Sequence, residues 1–127
     1  MSALWDAATR HACAANDILS LRKEVLTTGT LPLTGVLFAR GGGSGSLQAA
    51  VDGAAAEVWR SGEALEREAA VLMARYGAEP GLGRDVERLI DGCRIFCTAN
   101  VRWSLVTERY GMGAMRRLDG GAIELVI

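Results

Sequence analysis

Three stretches of this chain carry apolar residues at intervals of three, four and seven, and that rhythm limits the possible fold more than any other feature. The first runs from about Ala3 to Val25 and contains neither proline nor glycine. The second follows "RGGGSGS", where Ser46 can serve as N-cap, and continues through Leu47, Ala50, Val51, Ala54, Val58, Leu65, Leu72 and Met73. It stops at "YGAEPGLG", in which Gly77 and Pro80 break the helix. The third spans about Arg84 to Tyr110, with Val86, Leu89, Ile90, Cys93, Phe96, Cys97, Val101 and Tyr110 on its apolar side, and Gly111 and Gly113 close it. Each rhythm gives a helix one buried stripe. Strand signals are otherwise nearly absent, so the sequence predicts an all-α antiparallel bundle, one unit over residues 1–127 with helices at about 3–25, 46–76 and 84–110. Such a bundle encloses a core but hardly a roomy cavity as well. Two segments resist assignment. "LPLTGVLFAR" is either a short helix after Pro32 or an irregular packed segment, and the closing "GGAIELVI" is β-prone without an obvious partner strand.

A length of 127 residues suits one domain with a single core. Fourteen basic residues against fifteen acidic ones leave no global field to attract nucleic acid or an anionic membrane. The opening "MSALWDAATRHACAAND" interrupts any signal-peptide core with His, Arg and two Asp, and no run approaches the length of a membrane span. Three cysteines, Cys13, Cys93 and Cys97, are an odd number, which points to reduced thiols and a cytoplasmic location. With His11 they could be drawn as a zinc site. No close cysteine pairing of the structural-zinc type occurs, however, so the sequence predicts small buried apolar residues at all three positions. The glycines at 41–43 and 45 lack the Lys-Ser/Thr ending of a phosphate-binding loop and read as a flexible connector.

The stretch "AANDILSLRKE", residues 14–24, breaks the pattern. Asn16, Asp17 and Ser20 compete with helical hydrogen bonding, yet they stand together inside a helical run. They do not form a capping box, because no Glu or Gln follows any of them by three places. They could simply face solvent. Alternatively, Asn16, Ser20 and Glu24 are spaced i, i+4, i+8 and lie along one stripe of roughly 12 Å. An amide oxygen, a hydroxyl and a carboxylate are three hard donors with one negative charge. That set suits a Mg²⁺ whose other positions are filled by phosphate oxygens and water, and Lys23 can offer a positive charge to the same phosphate.

"NDILSLRKE" resembles the second metal-binding motif of class I terpene cyclases, (N/D)D(L/I/V)x(S/T)xxxE, at every defined position. The resemblance implies that Asn16, Ser20 and Glu24 bind one Mg²⁺ of a three-metal cluster on a substrate diphosphate, and that Lys23 contacts the diphosphate. A second stretch, "WSLVTERY", is similar to the family's late Trp followed by an Arg-Tyr pair. It implies that Arg109 and Tyr110 hydrogen-bond the diphosphate as the site closes, and that Trp103 walls the cavity and stabilises carbocations through its π face. Phe96, seven residues before Trp103, reads as plain packing, and Asn100 and Thr107 are weak candidates for the pocket lining.

The resemblance covers about Ala3 to Tyr110 and implies a partial isoprenoid-synthase fold. The activity it implies is that of a carbon-oxygen lyase, converting a linear isoprenyl diphosphate, farnesyl diphosphate on family frequency, into a cyclic terpene and diphosphate. The family's aspartate-rich run does not occur here, nor does the arginine that precedes the Asn helix in microbial members. The expectation is therefore a shortened chain, inactive alone, that self-associates through apolar surface. The alternative is a non-catalytic helical fragment or assembly partner derived from a terpene cyclase.

Overall fold

The computed structural model describes residues 1–21 and 47–107, with the backbone of two short strands at 115–117 and 123–125. The described helices are α1 (Ser2–Leu19), α2 (Leu47–Tyr76) and α3 (Leu82–Val106), and the strands are β1 (Met115–Arg117) and β2 (Ile123–Leu125). The protein is all-α apart from this small hairpin.

The turn between α2 and α3 shows why these helices end where they do. Gly77 N–H still donates to Met73 O at 2.8 Å, closing the last turn of α2. Gly81 then takes φ = +82°, which only glycine adopts at low cost, and reverses the chain. Gly83 lies so close to the end of α2 that a methyl group in its place would sit 2.5 Å from the Gly77 carbonyl oxygen. α2 and α3 therefore run antiparallel. α1 runs parallel to α3, because contacts advance together along both: Trp5 with Phe96, Cys97 Sγ with Ala8 O, Asn100 Nδ2 with Ala12 O.

The core combines branched aliphatic residues with alanine and cysteine. Leu4, Ala7 and Ala8 of α1 meet Leu65, Ala69 and Leu72 of α2 and Val86, Ile90, Cys93 and Cys97 of α3. Ser61 is buried in α2 and returns its hydroxyl hydrogen to its own helix, at 2.6 Å from Glu57 O, so it demands no partner from the core. Outside the core, Arg94 of α3 clamps Glu66 of α2 through two parallel hydrogen bonds of 2.9 and 2.7 Å.

Several expectations need correction. α1 is interrupted after Leu19 by a turn at Ser20, which keeps right-handed helical angles, and Leu21 is helical again, so the expected end near Val25 lies outside the described residues. The weak helix formers Asn16, Asp17 and Ser20 gather at this interruption. α3 ends at Val106, where two consecutive β-branched residues, Val106 and Thr107, meet and Thr107 swings to an extended conformation (φ −75°, ψ 135°). Met73 is exposed rather than part of the buried stripe, and Phe96 is 44% exposed rather than packed in the core. Cys13 is exposed, whereas Cys93 and Cys97 are buried free thiols. "GGAIELVI" does find a partner: Ile123, Glu124 and Leu125 pair antiparallel with Arg117, Arg116 and Met115. The segment "LPLTGVLFAR" and the glycine-rich connector lie outside the described residues, as does the side chain of Leu47.

Candidate functional site

Asn16 and Ser20 stand one helical turn apart at the C-terminal end of α1. The turn between them is intact, with Ser20 N–H donating to Asn16 O at 2.8 Å. Ser20 is almost fully buried, at 1% exposure, and Asn16 is partly buried. The Asn16 amide oxygen and the Ser20 hydroxyl are hard oxygen donors, which suit Mg²⁺ rather than a soft metal. Among the described residues, no three His, Cys, Asp or Glu side chains gather as a metal site. Glu24, Lys23, Arg109 and Tyr110 lie outside the described residues, so neither the third donor nor the diphosphate contacts belong to this geometry.

The face that carries Asn16 follows from the helical repeat. At 3.6 residues per turn, Asn16 lies about 20° around α1 from Trp5, and His11 lies about 120° away from Trp5. The His11 ring rests against α2, with Cδ2 3.7 Å from where a Cβ on Gly62 would stand. On α3, Trp103 lies about 20° from Phe96, and Arg94 about 160° from it. Arg94 is the residue bonded to α2. Trp5, Asn16, Phe96 and Trp103 thus share the side of the α1–α3 pair that faces away from α2. Trp5 and Phe96 join the two stripes by stacking, with centroids 6.2 Å apart and planes 25° apart.

Trp103 is 48% exposed on this front face. The Asn100 amide donates to Ala12 O at 3.3 Å and ties α3 to α1. Thr107 has left the helix and caps it, its N–H donating to Trp103 O at 2.9 Å. One further turn of the parallel register brings Ser104 level with Asn16. Ser104 is fully buried, and its hydroxyl oxygen has no hydrogen-bond partner among the described residues.

A groove lies on the opposite side. It has a volume of about 840 Å³ and is lined by His11, Trp59, Glu66, Arg94 and Thr98 among others, and it contains none of the expected site residues. Burial pushes the His11 imidazole below its ordinary range, so the ring is neutral there. The Arg94 hydrogen bond holds the Glu66 carboxyl below its ordinary range. Burial raises the Cys93 and Cys97 thiols, which leaves them protonated and poor ligands or nucleophiles.

Trp5 escaped sequence reasoning. It belongs to no motif and sits in the first turns of α1. The signal was its spacing of eleven residues from Asn16, three full turns, which places an aromatic ring on the stripe of the polar motif.

The chain is similar along its whole length to a protein named sesquiterpene cyclase hepA from Aspergillus oryzae, with 34% identity over 128 aligned positions covering 100% of this chain and 34% of that protein. It is also similar to two proteins named isoafricanol synthase. The one from Streptomyces malaysiensis is 44% identical over 50 positions, 39% of this chain and 13% of the relative. The one from Streptomyces violaceusniger is 32% identical over 108 positions, 84% of this chain and 28% of the relative. The chain therefore spans about a third of the length of the first of these relatives. No protein-family profile matches the chain, and no solved structure does. No helix among the described residues is long and apolar enough to cross a membrane.

Proposed function

We propose that this chain is a section of a class I terpene cyclase with an isoprenoid-synthase fold, and that it carries one metal site and part of the diphosphate clamp. The observation that carries the reading is the whole-length similarity to a sesquiterpene cyclase, in a chain that also holds "NDILSLRKE" and "WSLVTERY" in that order. The proposed substrate is a linear isoprenyl diphosphate, with farnesyl diphosphate preferred on the name of that relative. The proposed location is the cytoplasm.

In this reading Asn16 and Ser20, with Glu24 beyond them, hold a Mg²⁺ at the C-terminal end of α1. When bound, the ion supplies Lewis acidity to the diphosphate leaving group. Lys23, Arg109 and Tyr110 bind diphosphate oxygens and draw the leaving group away from the allylic carbon. Trp103 presents its π face to the reacting hydrocarbon and keeps water from it. The aspartate-rich run that would bind the other metals is absent from these 127 residues, so ionisation needs donors that this sequence does not contain. The apolar side chains left on the surface, Trp5, Trp59, Ile95, Phe96 and Trp103 among them, predict self-association, with sizing chromatography giving more than a monomer's mass.

The test is a chimera in which this chain replaces the matching third of the Aspergillus sesquiterpene cyclase. Incubated with farnesyl diphosphate and Mg²⁺, the chimera yields a cyclised terpene by gas chromatography, and Glu24→Ala abolishes it. The chain alone yields none. A folded chimera without product, or one indifferent to Glu24→Ala, contradicts the reading and favours a non-catalytic helical fragment.

A further inference from the structure

α3 is tied to α1 by side chains that donate to α1 carbonyls, and the next tie in the series is unmade. Cys97 Sγ–H donates to Ala8 O at 3.8 Å, and one turn further on the Asn100 amide donates to Ala12 O at 3.3 Å. A helix carbonyl keeps a second lone pair for such a bond after serving its own helix. Ser104 follows Cys97 by seven residues, and Ala15 follows Ala8 by seven. Because α1 and α3 run parallel, a step of two turns on both repeats the Cys97–Ala8 geometry, with Ser104 about 20° around α3 from Cys97. Ser104 is fully buried on α3, and Ala8 and Ala15 are buried on α1. Even so, the Ser104 hydroxyl has no hydrogen-bond partner among the described residues. A C–O bond is shorter than a C–S bond, which leaves the serine short of a carbonyl that a cysteine would reach. The other buried side-chain atom without a partner among the described residues, His11 Nδ1, belongs to the groove beside α2.

A buried hydroxyl that has lost water and gained no partner is unfavourable, so a small shift that gives it an acceptor is downhill. The acceptor opposite, Ala15, directly precedes Asn16, and Ser104 directly follows Trp103. We propose that Ser104 is a positioning residue for the metal turn: when an ion is held at Asn16 and Ser20, the Ser104 hydroxyl donates to the Ala15 carbonyl and fixes that turn against α3. The assignment rests on the terpene cyclase reading and adds a residue that its metal and diphosphate contacts do not include. Ser104 is not itself a ligand and acts through the backbone of α1. Only the ion-bound protein satisfies the hydroxyl, so the new bond adds to ion affinity. It also locks the register of the Trp103 turn to the turn that holds the ion.

The experiment titrates the whole chain with magnesium diphosphate, read by NMR at the Asn16 and Ser20 amides, and measures the Tm without added ion. The wild type responds at both amides, and Asn16→Ala removes the response. Ser104→Ala weakens binding about three- to tenfold, the scale of one hydrogen bond, while its Tm stays equal to the wild type or rises, because it deletes a hydroxyl that the ion-free protein leaves unpaired. Ser104→Cys, whose longer C–S bond reaches the carbonyl as Cys97 does, binds at least as tightly as the wild type. This split between affinity and Tm is what a merely structural serine would not give. If Ser104→Ala binds as tightly as the wild type, or Ser104→Cys binds as weakly as Ser104→Ala, the assignment fails while the cyclase reading stands. If Ser104→Ala melts lower or does not fold, the hydroxyl is already satisfied without the ion, and the assignment fails in the same way. If the wild-type amides of Asn16 and Ser20 do not respond, the cyclase reading falls and takes the assignment with it.

Discussion

The two sides of α1 are built on opposite principles. The side toward α2 and α3 is a seam of small residues in which Ala7, Ala8, Ala14 and Ala15 are buried and Leu4 is the one large side chain that α1 gives to the core cluster. The side away from α2 carries Trp5, and with Phe96 and Trp103 of α3 it leaves three aromatic rings about half exposed. A chain selected only to bury apolar area would do the reverse, since a buried aromatic ring contributes more than a buried alanine. The small seam brings the helices close enough for Cys97 Sγ to lie 3.8 Å from Ala8 O, and this fixes the register. The rings are held out on that frame. One face therefore supplies stability, and the other leaves aromatic surface uncovered.

This contrast predicts unequal costs. Leu4→Ala removes a fully buried side chain from the core cluster and is expected to destabilise by about 2–5 kcal/mol in chemical denaturation. A cost near zero would mean that the seam is not the core. Ala8→Leu overfills the seam where it is tightest, at an expected cost of about 1–3 kcal/mol. Trp5→Ala, although it deletes a much larger side chain, is expected to cost only about 0.5–1.5 kcal/mol, because its ring is half in water and loses one stacked partner. If Trp5→Ala costs as much as Leu4→Ala, the two faces are not distinct.

Thiol labelling sharpens the same comparison. Cys13 is exposed, whereas Cys93 and Cys97 are buried with raised thiol pKa, so the native protein should label rapidly at one cysteine and at the other two only on unfolding. Fast labelling at all three would show that the seam opens readily.

The smallest effect belongs to the Glu66–Arg94 clamp. The folded protein depresses the Glu66 carboxyl, so its contribution is complete above the ordinary glutamate value of 4.5 and is lost as pH falls through the lowered folded value. Both partners are about half exposed, which limits the effect to roughly 0.2–1 kcal/mol after solvent screening. Glu66→Gln should flatten this acid-side slope in a stability-versus-pH series. An unchanged slope would assign it to other carboxylates.

The helices were legible because their apolar periodicity is strong, and the start of α2 and the stop after it fell within a residue of expectation. Their other ends were less legible. Periodicity does not register that Asn16, Asp17 and Ser20 interrupt α1, or that Val106 and Thr107 weaken the end of α3. The apolar side of α3 was read as one stripe, yet it serves two faces: Val86, Ile90, Cys93 and Cys97 turn inward, while Phe96 and Trp103 turn outward. A wide apolar arc does not say where one role ends and the next begins. That division depends on where α1 lies, which is tertiary information. The partner of Asn100 was out of reach for the same reason, because it is a carbonyl 88 residues away in sequence. The paired strand of "GGAIELVI" was missed because "MRR" carries no strand alternation of its own.

The most direct test of the front-face account is a paramagnetic one. Mn²⁺ replaces Mg²⁺ in the presence of inorganic diphosphate, and line broadening is read along the chain by NMR. The account predicts the strongest broadening at the Asn16 and Ser20 amides, weaker broadening at the Trp103 indole N–H, and none at the Trp59 indole N–H. Broadening centred on Trp59 and Glu66, with Asn16 and Ser20 left sharp, would contradict it.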